Sequence, residues 1–375
     1  MTKNEIIRCT RCVMDNAADP TITFDAQGRC NYCTEALSQL GTVYQPDEAG
    51  RKQLEDMIAM LKKEGEGKPY DCLMGISGGL DSAYLAYLGH QWGLRILAVH
   101  IDDGYDTAIS KENIRRLCQA AHIDLKVITP DQQQYDALTL AYLKAGVPNL
   151  AVPQDNILFA FLYDQARKHG IRHFLTGGNF ALECILQRGN THNPMDLVNL
   201  RDIHRRFGTG KLDKLKFVSS YRKFLLSKLG QVVTLRPLNL IDYNRDRAFA
   251  ELKDFCGFEY YGAKHLENML TAFIQLRWLP EKFGVDKRTS HLSSMIVSGQ
   301  MTREDALREL EKPLFDPALM DSYVSEIKRR LNLTDEAFEA IMAAPAHQHT
   351  DYKCDNLGAT VKKLFKGILY RNMKG

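Results

Sequence analysis

The six residues Ser77-Gly78-Gly79-Leu80-Asp81-Ser82 combine two glycines, two hydroxyls and one carboxylate. Glycine lets a backbone come close to phosphate oxygens and take dihedrals closed to other residues. Ser77 and Ser82 add hydroxyl donors, and a helix starting near Ser82 would offer free N–H groups and its positive dipole end. A carboxylate is out of place beside phosphates unless a cation intervenes, so Asp81 is assigned to Mg²⁺, an ion that commonly bridges phosphate and one or two carboxylates. The chemistry implied is the handling of a nucleotide's phosphates. Neither GxxxxGK[ST] nor GxGxxG is matched.

A second constellation lies near the N-terminus, where Cys9-x-x-Cys12 and Cys30-x-x-Cys33 have the spacing of a tetrahedral zinc site of four thiolates. Such a closed site leaves no open position for water or substrate, so its expected role is structural. The chain has nine cysteines, the other five scattered. In a reducing compartment metal binding accounts for the clustered four better than disulfides do.

From Tyr70 onward, short apolar runs alternate with helical stretches. The runs YDCLMGI, RILAVHI, LKVIT and HFLTGG are separated by helices expected from about Ser82, near 110–121 and near 155–169. This is the rhythm of parallel strands with crossover helices, and runs apolar on both faces fit a sheet covered on both sides. The expected fold class is therefore α/β. Its expected parts are a cysteine module over 1–45, a charged linker helix over 46–69, the sheet domain over 70–244, a mainly helical region over 245–345 and a polar tail over 346–375. Helices are expected near 245–256, 264–277, 302–311 and 318–343.

Composition excludes several classes. With 375 residues, 45% hydrophobic and 25% charged, and a formal charge of +3, the chain is an ordinary globular protein and no polycation. No apolar run approaches the roughly 20 residues of a membrane span, and the N-terminus lacks a signal-peptide core, so a cytoplasmic protein is expected. One stretch, 201–228, holds nine Lys or Arg against two Asp. It reads as a solvated helical insertion or as a surface for a polyphosphate or an acidic partner.

The phosphate segment resembles the SGGxDS loop of the PP-loop ATP pyrophosphatases, which implies an adenine nucleotide alpha hydrolase-like fold and cleavage of ATP to AMP and pyrophosphate. On that resemblance His100, Ile101 and Asp102, at the end of the second strand, would bind adenine and ribose. Thr176-Gly177-Gly178-Asn179, with Glu183 a helical turn later, looks like the family's second phosphate and metal segment. Ligands bind outside such strand ends in open parallel sheets.

Further on, Tyr261-Gly262-Ala263-Lys264-His265-Leu266-Glu267, Leu279 through Arg288, His291-Leu292-Ser293-Ser294 and Ser298 through Ala306 resemble the N-acetyl sugar amidotransferases of bacterial surface-polysaccharide synthesis. Ala263 stands where that family usually has a second glycine. The resemblance implies ATP-driven adenylation of an acetamido oxygen on a nucleotide-linked sugar, typically a UDP-diacetamido uronic acid, followed by ammonia attack to give an acetamidino group. It also implies ATP, Mg²⁺ and Zn²⁺ as cofactors. Because Met1-Thr2 replaces the nucleophilic cysteine of a glutaminase, a separate glutaminase with a cyclase-like subunit is the expected ammonia source. Asp81, Ser82, Lys264, His265 and Arg288 are the expected catalytic residues, and Lys264, His265, Arg288 and His291 the expected sugar, diphosphate or AMP contacts. A tRNA-thiolating enzyme is the nearest rival, although 147–155 lacks the paired cysteines many of them carry. A zinc-ribbon nucleic-acid binder would use 201–228, but aromatics are not interleaved there as in a single-strand platform.

Overall fold

The computed structural model describes residues 6–17, 19–229, 232–262 and 266–355. The apolar runs pair as a parallel sheet of five strands, β1 (Cys72–Gly75), β2 (Ile96–Ile101), β3 (Asp124–Ile128), β4 (His173–Leu175) and β5 (Val233–Leu235), in the order β3-β2-β1-β4-β5. Alternation along β1 and β2 explains why both faces are covered. Cys72, Met74, Ile96 and Ala98 join a core with Ala83, Leu85, Ile114 and Leu117 of the helices Leu80–Gln91 and Ala108–Ala120. Leu73, Leu97 and Val99 turn the other way, onto Leu162 of the helix Val152–Lys168. These are the crossover helices the sequence predicts.

β5 and the helix Gln132–Ala145 were not among the expected elements, whereas the helices Leu197–Phe207 and Ser220–Lys228 fall largely in the stretch read as a helical insertion. β5 is three half-buried residues at the sheet edge, too short for an apolar run to announce it. Gln132–Ala145 is buried along most of its length, through Tyr135, Leu138, Tyr142 and Leu143, in a second core with Phe273, Trp278, Met320, Ile327 and Phe338. That core binds the C-terminal helices to the sheet domain.

The helix Arg245–Cys256 forms as expected, as does Arg303–Glu311. The region expected as one helix over 264–277 is a short helix, Met269–Phe273, running into a widened turn, Ile274–Trp278, and then Leu279–Phe283. Pro280 has no N–H to return to the carbonyl four residues back, and the hydrogen bonding before it loosens accordingly. The helix expected over 318–343 is two, Pro317–Leu331 and Asp335–Ala343. Asn332 ends the first in the left-handed conformation (φ +50°), and Thr334 caps the second through the Ala337 N–H. Among the described residues no helix is long and apolar enough to cross a membrane.

Candidate active site

β1 has β2 on one side and β4 on the other, so the chain leaves it in opposite directions and a crevice opens at the carboxyl ends of β1 and β4. The Ser77–Ser82 loop and the Thr176–Asn179 loop fill the two lips. Gly78 takes φ +80°, and a Cβ there would sit 2.6 Å from the Ser110 carbonyl oxygen, so only glycine fits. Gly79 is the N-cap of Leu80–Gln91 and has no side chain to occupy the helix's first N–H groups. Ser82 Oγ donates to the Gly79 carbonyl at 3.1 Å and lies 3.4 Å from Ser77 Oγ, drawing both hydroxyls into the turn. Across the crevice, a Cβ on Gly177 would fall 2.8 Å from both the Asp81 carbonyl carbon and the Ser82 nitrogen. The two loops thus touch backbone to backbone.

Both acids expected at magnesium border this double glycine. Asp81 lies against Gly177, and the Glu183 carboxylate is the nearest group to Gly178. Asp81 accepts a hydrogen bond from the hydroxyl of Tyr243, a fully buried residue that sequence reasoning missed and no local motif marks. Asn179 spends its side chain locally, its Oδ1 capping the Leu182 N–H at 2.9 Å and its amide donating to the Gly177 carbonyl at 3.0 Å. It shapes the loop through those bonds.

At the end of β2, His100 Nδ1 lies 2.9 Å from the Ile76 carbonyl and Nε2 3.0 Å from Asp106, tying β2 to the root of the phosphate loop. Burial alone would lower the His100 pKa, but the hydrogen bond and charge of Asp106, with the Ile76 carbonyl, outweigh it and raise it. Asp102 is partly exposed and pairs with Lys111 at 3.1 Å. Its neighbour Asp103 was overlooked. Only 2% exposed, Asp103 accepts from the Tyr105 N–H, Tyr135, Gln154 and Asn268, and burial foremost pushes its carboxyl up to about 6.

The C-terminal part reaches into the crevice. Residues 267–269 run beside the loop after β2, with Thr107 N–H donating to the Glu267 carbonyl (3.0 Å) and Met269 N–H to the Tyr105 carbonyl (2.7 Å). From there Glu267, 7% exposed, accepts from Ser77 Oγ at 3.1 Å, and its second oxygen is buried without a hydrogen-bond partner. The Tyr261 hydroxyl accepts from the Leu80 N–H at 2.8 Å, at the helix start where a phosphate would bind. Neither residue was an expected site residue. Lys264 and His265 lie outside the described residues.

Arg288, expected at substrate, is instead committed elsewhere. Its Nε and Nη2 bind Asp286, Nη2 also reaches the Leu310 carbonyl, and Nη1 donates to the carbonyls of Glu309 and Lys312. All five N–H donors are used in fastening Arg288–Val297 to the end of Arg303–Glu311. His291 sits on the same helix, half-buried.

Cys9, Cys12, Cys30 and Cys33 come together fully buried, with Sγ–Sγ distances of 3.7 Å (Cys9–Cys33) and 3.6 Å (Cys12–Cys30). Four thiolates at about 2.3 Å from one tetrahedral ion lie about 3.8 Å apart. A [4Fe–4S] cluster gives each thiolate its own iron and would hold all four farther apart. Without a cation the set splits. The Cys12 hydrogen bond drives Cys9 down towards thiolate, while Cys30 drives Cys12 up towards thiol. Backbone N–H groups of Arg11, Cys12 and Cys30 point at Cys9 Sγ, as they would at a bound thiolate. Arg303 donates to the carbonyls of Cys9 and Cys12, and Val13 N–H to Ser293, so the module is seated on the C-terminal helices.

A parallel sheet in this order, an SGGLDS turn at β1 and a TGGN turn at β4 define a PP-loop protein, here with a four-cysteine module before it and a helical part behind. Residues 267–367 match the family model described as LPS biosynthesis protein WbpG-like, C-terminal domain, and residues 71–181 match that of queuosine biosynthesis protein QueC. The match to the QueC model falls on the sheet domain, and the match to the WbpG-like model on the helical part behind it. The chain is 21% identical over 326 residues to an uncharacterized protein of Methanocaldococcus jannaschii, covering 86% of this chain and 99% of that one. Similar solved structures include an NMN synthetase from Francisella tularensis (13% identity, 77% of this chain and 98% of that one, TM-score 0.37). Another is the U34-tRNA thiolase NcsA from Methanococcus maripaludis with its [4Fe-4S] cluster (15% identity, 88% and 89%, TM-score 0.33).

Proposed function

We propose that the protein is an ATP-dependent N-acetyl sugar amidotransferase of surface-polysaccharide synthesis, working in the cytoplasm. In this reading ATP adenylates the acetamido oxygen of a nucleotide-linked sugar, typically a UDP-diacetamido uronic acid. Pyrophosphate leaves, and ammonia displaces AMP to give an acetamidino group. An amide oxygen is a poor leaving group until AMP is attached, so activation and positioning carry most of the chemistry. The observation that carries the reading is the meeting of the two parts of the chain. The segment beginning the WbpG-like domain puts Glu267 on Ser77, and just before it Tyr261 lies on the Leu80 N–H, so the part matching a polysaccharide-synthesis model borders the phosphate loop itself.

Ser77, Gly78, Gly79, Leu80 and Ser82 would cradle the outer phosphates, and Gly177 and Gly178 the opposite side. His100, Ile101 and Asp102 would line the nucleoside. Mg²⁺ held by Asp81 and Glu183 would neutralise charge on the leaving pyrophosphate. Lys264, His265 and His291 remain assigned to the sugar, and zinc to the four cysteines. A separate glutaminase and cyclase-like subunit would deliver ammonia. The thiolation reading finds little support. Cys184 is the cysteine beside Glu183, and burial pushes its thiol up to about 11, the opposite of what a sulfur-transfer nucleophile needs.

The test is to incubate the protein with ATP, Mg²⁺, an ammonium salt and a panel of UDP-diacetamido sugars. Mass spectrometry should show one acceptor exchanging an oxygen for NH, with pyrophosphate released only in its presence. Sulfur incorporated into tRNA, or pyrophosphate release indifferent to every sugar, would refute the assignment.

A further inference from the structure

Away from the phosphate loop, three side chains of different chemistry converge. His192 Nε2 lies 3.0 Å from Asp196 Oδ2, and the ligand atoms of His192, Asp196 and Cys354 all fall within 4.8 Å of one another. Asp196 caps the helix Leu197–Phe207 by accepting from the Asn199 N–H at 2.9 Å, and it also accepts from the Asp355 N–H at 2.9 Å. A helix cap with an ordinary His–Asp pair would explain two of the three residues. It gives no reason for the thiol, nor for His349.

The His349 ring, 4% exposed, stacks on His192 with centroids 4.2 Å apart and planes within 7°. Its Nδ1 is 2.9 Å from Asn199 Oδ1. The Asn199 amide nitrogen donates to the carbonyls of His349 and Lys353, so Oδ1 can only accept and Nδ1 must carry the proton. Nε2 is therefore a lone pair, and it is buried with no hydrogen-bond partner, the nearby Asn149 backbone lying outside bonding geometry. A neutral His349 ring can stack on His192 without repelling a cation bound there.

We propose that His192, Asp196 and Cys354 bind one zinc ion, with solvent at the fourth position. One thiolate, imidazole and a carboxylate suit zinc and not the all-oxygen preference of magnesium or calcium. On binding, the Cys354 thiol, which now donates to the His349 carbonyl at 3.3 Å, releases its proton to solvent, and the thiolate accepts from the Asn199 amide 3.6 Å away. The Asn199 amide is then an outer partner of the Cys354 ligand. The ion fastens 349–355, which hold one short turn, His349–Asp351, to the start of Leu197–Phe207. This site is independent of the amidotransferase reading.

The test uses the full chain, purified without chelator and supplied with zinc, and counts metal by elemental analysis. Two ions per chain are expected. Cys354→Ser and Asp196→Asn, the latter keeping a good helix cap, should each leave one, and Cys9→Ser with Cys12→Ser should leave the other. Cobalt substitution of the parent chain should add, to the spectrum of a four-thiolate centre, that of a centre with a single thiolate, lost in Cys354→Ser. One ion per parent chain, or two ions persisting in folded Cys354→Ser and Asp196→Asn, would overturn the proposal. The cobalt spectrum of the parent decides the matter even if a variant fails to fold.

Discussion

Gly177→Ala isolates the contact between the two phosphate-side loops. The added methyl would lie 2.8 Å from the Asp81 carbonyl carbon and the Ser82 nitrogen and 2.9 Å from the Asp81 oxygen, all of them backbone. Comfortable contact begins at about 3.5 Å, so one loop must withdraw by roughly 0.7 Å. Overpacking of this kind costs about 1–3 kcal/mol. A displacement of about 1 Å in a reacting group costs about a hundredfold in rate, so about 0.7 Å predicts roughly a 25-fold loss of pyrophosphate release. Gly75→Ala is the comparator. It makes the same chemical change two residues before the loop, where the new methyl would meet Leu162 methyls at 3.5 and 3.8 Å, ordinary contacts on a side chain that can give. Calorimetric binding of Mg·ATP and a pyrophosphate assay on both variants, with thermal melts, should show Gly177→Ala impaired and Gly75→Ala close to the parent. Equal loss in the two, or parental nucleotide binding and stability in Gly177→Ala, would refute the reasoning that the loops must touch to work.

Tyr243→Phe removes the donor on Asp81 while keeping the buried ring. It should cost about 1 kcal/mol in urea unfolding and lower turnover by more than that loss explains, since the carboxylate is no longer aimed. Arg288→Gln should behave oppositely, lowering stability by about 2 kcal/mol while pyrophosphate release per folded molecule holds, and a selective loss of turnover would return Arg288 to the active site. His100 has its pKa raised in the folded state, so its contribution is present below the unfolded value and lost as pH rises through the folded one. Asp103, pushed up to about 6, acts in the same direction, disfavouring the folded state as it ionises. The stability difference between the parent and His100→Gln, measured by urea unfolding, should therefore be larger at pH 6 than at pH 7.5, the buried neutral His349 acting in the opposite direction in both proteins; a difference that shrinks on acidification would contradict the His100 assignment.

Legibility from sequence followed the range of the interactions. β1, β2 and β4 announce themselves because each strand's burial is written in its own apolar residues, β3 by its short apolar run although none of its residues is fully buried, and the glycine loops because their geometry is local. Gly78 needs a positive φ whatever surrounds it. Asn332 and Thr334 were readable as a stop and a start, and only the long amphipathic run around them favoured one helix. Tyr243 and Glu267 were not readable. They reach Asp81 and Ser77 from 162 and 190 positions away, and nothing about a tyrosine or a glutamate in a loop records that reach. Arg288 misled for the converse reason, because an arginine in a charged motif looks the same whether its donors face a phosphate or four residues of its own chain.

The phosphate loop is already occupied by the chain itself, and this constrains how a nucleotide enters. The Leu80 N–H, which begins the helix, is taken by a neutral hydroxyl, that of Tyr261. A phosphate oxygen makes a charge-assisted bond roughly twice as strong as a neutral one, so it wins that donor and Tyr261 must withdraw. Glu267 is different, because it is held from behind by the Thr107 N–H on its own carbonyl and cannot retreat far without unpicking the contact with the loop after β2. Its carboxylate, itself buried, and an arriving phosphate repel more strongly than charges do in bulk water. The repulsion is relieved only if a cation stands between them. Its buried, unpartnered oxygen is where such a cation would find a ligand. On the proposed function, magnesium and the C-terminal segment would be linked through one carboxylate, and the nucleotide domain would be incomplete without the part of the chain that follows it.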